Sequence, residues 1–87
     1  MLDNDVRGRI SRFIRMTFPL ARQRALSTSD PLLEGGIIDS LGILNLVGFL
    51  EEEFQMTVAD DDLVPENFGT IEQIAEFVEG RRAQVGT

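Results

Sequence analysis

The stretch between residues 43 and 54 constrains the fold most, because its apolar side chains recur at the spacing of a helix. The residues of this stripe lie four, three and four positions apart: Ile43, Val47, Leu50 and Phe54. Leu46 widens the same stripe. A single apolar face is typical of an amphipathic helix that packs on a core. The pattern predicts a helix from about Ser40 to Phe54, with Asp39 immediately before it as an N-cap.

A second helix is predicted near the start of the chain, with Asp3 or Asn4 available as its N-cap. Four apolar residues form its inward stripe: Val6, Ile10, Phe13 and Ile14. Arginines fill its outer face. The helix should end at Phe18, because a residue that precedes a proline avoids the helical region.

The third long helix is predicted after Thr70, because Thr70 and Gln73 match the capping-box pattern T-x-x-Q. Its inward residues should be Ile71, Ile74 and Val78, with Ala75 or Phe77 at the margin. Gly80 is expected to end this helix, which would leave residues 81–87 as a flexible tail.

Two connections join these helices. In the long connection over residues 19–38, the LARQRAL segment predicts an extra helical turn or two, and four apolar residues should pin it to the core: Leu32, Leu33, Ile37 and Ile38. The second connection suggests at most one irregular turn, around Pro65 to Phe68. Because no strand-like alternation of useful length occurs, we predict an all-α fold, a small bundle of three main helices plus one short helix. It should be a single domain over residues 1–87, with its core at about residues 4–80.

The missing residue types limit the chemistry. The 87 residues include no Cys, His, Lys, Trp or Tyr. Disulfides, thiolate or imidazole metal sites and nucleophiles activated by histidine are therefore excluded. A chain of this size forms one small core and hardly a deep cleft. We expect that it is not an enzyme, and that any chemistry on a serine is performed by another protein.

The net charge of −7 is unevenly distributed. Residues 1–26 carry six arginines against two aspartates, whereas residues 27–80 carry thirteen acidic residues and no basic one. Such an acidic body repels nucleic acid and favours a basic protein surface. No apolar run approaches the roughly 20 residues of a membrane span, and the first residues are too polar for a signal peptide. We expect no membrane insertion and a cytoplasmic location.

Two acidic segments resemble metal sites only superficially. The spacing of acids in residues 3–14 is similar to that of a calcium-binding loop, but Arg7 occupies a ligand position and the final glutamate is missing. Asp60 to Asp62 are consecutive, so they cannot all converge on one ion from a regular helix. The sequence predicts no metal site of the chain's own.

Ser40 lies on the side of its predicted helix that faces away from the core stripe. Three residues share this side and three adjoin it: Leu44, Gly48 and Glu51, then Leu41, Asn45 and Glu52. On a structural interpretation, Asp39 is a cap, Ser40 a tolerated first-turn residue and the leucines chance surface residues. On a functional interpretation, Ser40 is a modification point, because the free N–H groups and positive dipole end of a helix start favour a phosphate there.

The segment GGIIDSLGILNLVGFLEEEF resembles the region of acyl carrier proteins around their phosphopantetheine serine. The match is close over residues 33–54 and looser over residues 55–80, and it centres on D-S-L at the head of an amphipathic helix. The resemblance implies an acyl-carrier-protein-like fold. It also implies that a phosphopantetheinyl transferase moves 4'-phosphopantetheine from coenzyme A onto Ser40, and that the thiol of this arm carries acyl groups as thioesters.

The resemblance also implies roles for the neighbours of Ser40. Asp39 resembles the aspartate that helps to hold the transferase's magnesium, and Leu41 resembles the leucine that partner enzymes pack against. The residues expected to recognise partners are Asp39, Leu41, Leu44, Asn45, Glu51 and Glu52. The partners would be the transferase, a loading ligase and a downstream synthase or transferase, and the chain is expected to be a monomer. A long acyl chain should enter near the short turn, displacing contacts of Val47, Leu63 and Phe68.

The sequence departs from this family in two respects. Gly42 and Asn45 stand where carriers of fatty acid synthesis often have acids, and the first helix is rich in arginine. Gly42 and Gly48 each cost a helix about 1 kcal/mol relative to alanine, for which a close approach of a partner or of the arm and a plain packing reason are both open. The departures favour a specialised stand-alone carrier.

Three hypotheses of function follow. The main one is an acyl carrier protein of fatty acid or specialised metabolite biosynthesis. An aminoacyl or peptidyl carrier would use Ser40 in the same way. The alternative of another class is a non-covalent helical adaptor, which would dock on its partner through Leu41 and Leu44 and would not need Ser40.

Overall fold

The computed structural model describes residues 6–23 and 26–85, with side chains as far as residue 81. Within these residues the chain forms five α-helices and one 3₁₀ helix, and no strand. In chain order the elements are α1 (Val6–Thr17), α2 (Pro19–Gln23), α3 (Gly42–Phe54), the 3₁₀ helix (Asp60–Asp62), α4 (Pro65–Phe68) and α5 (Ile71–Val85). Helices α1, α3 and α5 are long and enclose one hydrophobic core. This arrangement confirms the predicted all-α bundle.

Helix α1 forms where the apolar spacing predicts it and buries three residues of its stripe: Val6, Ile10 and Ile14. It ends at Thr17, and Pro19 is the first residue of α2. Proline suits that position, because the first N–H groups of a helix have no partner within it. Helix α2 confirms the extra turn predicted after the proline. The predicted N-cap residues Asp3 and Asn4 lie outside the described residues.

The connection from α2 to α3 is held to the core by four buried side chains: Leu26, Leu32, Ile37 and Ile38. The N–H of Leu32 donates to the C=O of Gly69 at 2.8 Å, which ties this connection to the end of α4. The expectation for Leu33 is wrong, because its side chain is 42% exposed. Leu33 opens a turn that closes when the Gly36 N–H bonds to the Leu33 C=O at 3.2 Å.

Helix α3 begins at Gly42, two residues later than predicted, and its buried stripe is rotated from the predicted one. The buried residues are Gly42, Leu46, Leu50 and Phe54, whereas Ile43 and Val47 are half-buried. The stacking of Phe49 on Phe13 of α1, with ring centroids 4.2 Å apart, accounts for this rotation. The helix ends because Gln55 adopts the left-handed conformation, with φ of 54°.

Two short turns join α3 to α5, whereas the sequence suggested at most one. The 3₁₀ helix comes first, and its Asp62 Oδ2 accepts the N–H of Ala59 at 2.9 Å. Helix α4 follows, and Phe68 anchors it because this side chain is almost completely buried. Together these turns bring residues 63–65 and Phe68 beside Ile43, near the start of α3.

Helix α5 begins as the capping pattern predicts, because Oγ1 of Thr70 accepts the N–H of Gln73 at 3.1 Å. Its buried residues are Ile71, Ile74, Ala75 and Val78, while Phe77 lies at the margin. The prediction that Gly80 ends this helix is wrong, because α5 continues to Val85 and includes most of the predicted tail. A single glycine costs a helix only about 1 kcal/mol, and Arg81 makes tertiary contacts in the next turn.

Candidate functional site

Ser40 is exposed in the turn that leads into α3, and Asp39 determines the shape of that turn. Oδ1 of Asp39 accepts the N–H of Gly42 at 2.7 Å, and its backbone C=O accepts the N–H of Ile43 at 3.0 Å. A carboxylate that accepts a first-turn N–H in this way caps a helix and is favoured by its dipole. Asp39 therefore makes the capping bond that the sequence predicted, although Leu41 and not Asp39 directly precedes α3. This bond fixes the backbone on both sides of Ser40.

The absence of a side chain at Gly42 has a packing reason, so the presence of one of the two glycines of α3 is explained. A Cβ at this position would lie 2.7 Å from Cε1 of Phe18 and 3.0 Å from Cγ2 of Ile38. Gly48 differs, because a Cβ there would meet nothing within 4 Å. The missing side chain at Gly42 thus lets Phe18 and the connection close against the start of α3, directly beneath Ser40.

An apolar pocket of about 160 Å³ opens beside Ser40. Its lining consists of Leu33, Ser40, Ile43, Leu63, Val64, Pro65 and Phe68. The serine is the one polar residue in this lining. The sequence predicted Leu63 and Phe68 at this place, but the third predicted residue, Val47, does not line the pocket. The sequence assigned Ile43 to the core stripe, away from Ser40, but the structure places this half-buried residue in the same lining as Ser40. No sequence pattern indicated Leu33.

The predicted partner-recognition residues do not share one environment. Leu41 and Leu44 are 74% and 59% exposed, which leaves two large apolar side chains in solvent next to Ser40. Asn45 and Glu52 are exposed as well. Glu51 is instead half-buried, and its Oε2 accepts the N–H of Val58 at 2.9 Å. This carboxylate thus holds the segment that follows α3, a contact that the sequence did not indicate.

A polar cluster joins Arg81 of α5 to Asp62, the residue before the pocket-lining Leu63. Nη2 of Arg81 donates to Oδ1 of Asp62 at 3.0 Å, and Nη1 donates to the C=O of Thr57 at 2.9 Å. The hydrogen bond from the Ala59 N–H holds the pKa of the Asp62 carboxyl below its usual range; burial opposes this effect, and Arg81 adds to it. The sequence missed this cluster, because Arg81 was expected in a flexible tail.

Of the two acidic segments, the structure describes the one at residues 60–62, whereas Asp3 and Asp5 of the other lie outside the described residues. Among the described residues, no three His, Cys, Asp or Glu side chains are grouped so that they could hold a metal ion. The consecutive aspartates 60–62 form the 3₁₀ helix instead. In the same residues, no helix has both the length and the apolar character needed to cross a membrane.

The comparison with known families shows the class of protein to which the chain belongs. The family model described as the phosphopantetheine attachment site matches residues 6–78 of the chain. The chain belongs to this family. It is also similar to the "Probable acyl carrier protein PigG" of Serratia sp. (strain ATCC 39006), with 33% identity over 58 residues, which are 67% of this chain and 67% of the relative.

Family membership confirms that the chain is a carrier protein with a 4'-phosphopantetheine prosthetic group and is not itself an enzyme. Such carriers interact in general with a phosphopantetheinyl transferase and with synthase or ligase enzymes. The residues around Ser40 fit the group. The serine hydroxyl is exposed at the start of a helix, where a phosphate is favoured, and the adjacent pocket offers apolar surface.

Proposed function

We propose that this carrier protein bears acyl groups as thioesters on a 4'-phosphopantetheine arm attached to the hydroxyl of Ser40. The observation that carries the proposal is the exposed Ser40 at the start of α3, beside an apolar pocket and within the residues that the family model matches. When bound, the arm supplies a thiol, which this chain without cysteine does not contain.

The side chains next to Ser40 would present it to the transferase. Asp39 is exposed and orders the turn through its bond to Gly42, so its carboxylate would stand beside the serine and help to hold the transferase's magnesium. Leu41 and Leu44 would supply the apolar contact for partner enzymes, because both are exposed on the same side as Ser40. Glu52 and Asn45 would add polar contacts at the edge of this surface.

An acyl cargo is favoured over an aminoacyl cargo by the lining of the pocket. Apart from Ser40, every residue that lines it is apolar. Placing a charged amino group in such a site without a partner is strongly unfavourable. An aminoacyl group would therefore remain in solvent, whereas an alkyl chain would gain by burial against Ile43 and Phe68.

A specialised pathway is favoured over housekeeping fatty acid synthesis. The grounds are the two departures from the carriers of fatty acid synthesis, namely Gly42 and Asn45 in place of acids, and an α1 that carries four arginines. The cytoplasmic location, the monomeric state and the identities of the ligase and the synthase stay predictions.

The test is incubation of the purified chain with a phosphopantetheinyl transferase, Mg²⁺ and coenzyme A, followed by intact mass spectrometry. We expect the wild-type mass to rise by one phosphopantetheine unit and Ser40→Ala to stay unmodified. Ser29→Ala is the matched control, because Ser29 is also an exposed serine before α3 and should not affect the reaction. A well-folded wild-type chain that keeps its original mass would refute the proposal.

A further inference from the structure

The pocket beside Ser40 is small for a long acyl chain. Its volume is about 160 Å³. An engineered apolar cavity of about 150 Å³ in another protein takes up benzene, which has six carbons. The pocket therefore has room for an apolar chain of about six carbons. A twelve-carbon chain needs about twice that space, so a wall of the pocket would have to move outward to admit it.

One wall of the pocket is tied to α5. Residues 63–65 form this wall, and they follow directly on the 3₁₀ helix that ends at Asp62. The backbone C=O of Asp62 accepts the N–H of Val64 at 2.9 Å, and its Oδ1 accepts a hydrogen bond from Arg81 at 3.0 Å. Asp62 thus joins the wall on one side to a side chain of α5 on the other.

Arg81 makes three contacts that act together on this wall. It donates to the C=O of Thr57 and to the carboxylate of Asp62, and its guanidinium lies 5.0 Å from the ring centroid of Phe77. A planar guanidinium makes such a set of contacts in one orientation only. The bond to Thr57 holds the guanidinium in place, so an outward movement of the wall that carries Asp62 with it would break the bond between Asp62 and Arg81. The widened pocket is therefore the less populated state.

We propose that Arg81 is a specificity-determining positioning residue, which limits the cargo that the pocket shelters to apolar acyl chains of about six carbons. This inference rests on the proposed function, in which Ser40 carries the acyl group. Arg81 does not line the pocket, and it acts through residues 63–65. The distal carbons of a longer chain on Ser40 would remain in solvent, because the wall stays in place.

The experiment compares the melting temperatures of acylated wild type and Arg81→Met, loaded by the transferase from hexanoyl- and dodecanoyl-coenzyme A. Each acylated form is referred to the same chain carrying the unacylated arm. Methionine keeps the apolar stem over Phe77 but removes the charge and both donors. A chain that occupies the folded pocket with about fivefold preference raises the melting temperature on the order of 5 °C in a domain of this size.

In wild type we expect the hexanoyl group to raise the melting temperature by this amount. The dodecanoyl group should raise it by the same amount and no more. In Arg81→Met we expect the melting temperature of the dodecanoyl form to exceed that of the hexanoyl form by a similar amount, because the wall is free to move. Arg9→Met is the matched control, since Arg9 also pairs with a carboxylate, that of Glu53, and lies over the ring of Phe54, away from the pocket. This control should respond to chain length as wild type does.

Asp62→Asn provides the second variant, which keeps the shape of the side chain but removes its charge, and it should shift the response in the same direction as Arg81→Met. If Arg81→Met does not fold, this variant decides the question. Equal responses to both chain lengths in wild type and in the folded variants would overturn the inference while leaving the proposed function intact. If mass spectrometry shows no transfer to Ser40, the proposed function fails and the inference fails with it.

Discussion

The inner face of α3 is packed into the core, whereas its outer face makes few contacts with the rest of the chain. Leu46 and Leu50 on the inner face are completely buried. Leu44 and Gly48 on the outer face are exposed, and a side chain added at Gly48 would meet open space. One helix therefore carries stability on one side and presents Ser40 and its neighbours on the other. Substitutions on the two faces should separate the two properties.

The largest contrast is expected between Leu46→Ala and Leu44→Ala, which remove the same atoms from opposite faces. Truncation of the buried Leu46 should lower the free energy of unfolding by about 2–5 kcal/mol, because it removes apolar contacts and leaves a cavity. Truncation of the exposed Leu44 should change it by less than about 0.5 kcal/mol. Urea denaturation, followed by circular dichroism, measures both values.

The same pair of variants tests the role of the outer face in partner binding. Leu44→Ala should slow the transfer of the arm to Ser40, since it removes apolar surface next to the serine. Leu46→Ala, measured well below its melting temperature, should be modified at the rate of wild type. A reversed result, with Leu44→Ala destabilised and modified normally, would contradict the division of α3 into two faces.

The two glycines of α3 should give effects of opposite sign. Gly42→Ala is expected to lower the free energy of unfolding by about 1–3 kcal/mol, because the new Cβ would overlap the ring of Phe18. Gly48→Ala should raise it by up to about 1 kcal/mol, since alanine is the better helix former and has free space. Thermal melts of both variants check the signs. An equal gain in both would mean that the Phe18 ring moves aside at no cost.

Local patterns predicted the three long helices, because burying one face of a helix depends on residues a few positions apart. They did not predict the rotation of the buried stripe toward Leu46, which follows from the stacking of Phe49 on Phe13 across 36 residues of sequence. The end of α5 was mistaken for a similar reason. Gly80 is a helix-ending residue by local rules, but Arg81 is held by Thr57 and Asp62 from a distant part of the chain.

The candidate site was predictable to the extent that it lies on one helix. The exposure of Ser40 and Leu44 and the cap made by Asp39 follow from helical geometry and from residue type. The pocket was only partly predictable, because Leu33 and residues 63–65 come from irregular connections. No periodicity relates such residues to α3, so their meeting beside Ser40 is visible only in three dimensions.

A smaller effect is expected at Asp39, which precedes α3 and bonds to its first residue. Asp39→Ala should lower the free energy of unfolding by about 1 kcal/mol, because the N–H of Gly42 loses its acceptor. Asp39→Asn should leave stability nearly unchanged, since asparagine caps a helix about as well as aspartate. If the charge helps to hold the transferase's magnesium, both variants should slow the modification of Ser40. Slow modification in the alanine variant alone would assign Asp39 a purely structural role.

The smallest contrast in the free energy of unfolding is expected between two adjacent glutamates of α3, because they lie in different environments. Glu51→Ala removes the acceptor of the Val58 N–H and should lower the free energy of unfolding by about 0.5–1.5 kcal/mol. Glu52→Ala, on an exposed residue, should change it by less than about 0.5 kcal/mol. Urea denaturation of the two variants side by side measures the difference. Binding to a basic partner provides a second comparison. If Glu52→Ala weakens this binding more than Glu51→Ala does, then Glu52 serves recognition, whereas Glu51 holds the segment that follows α3. Equal losses of stability would show that the contact between Glu51 and Val58 contributes nothing to the folded state.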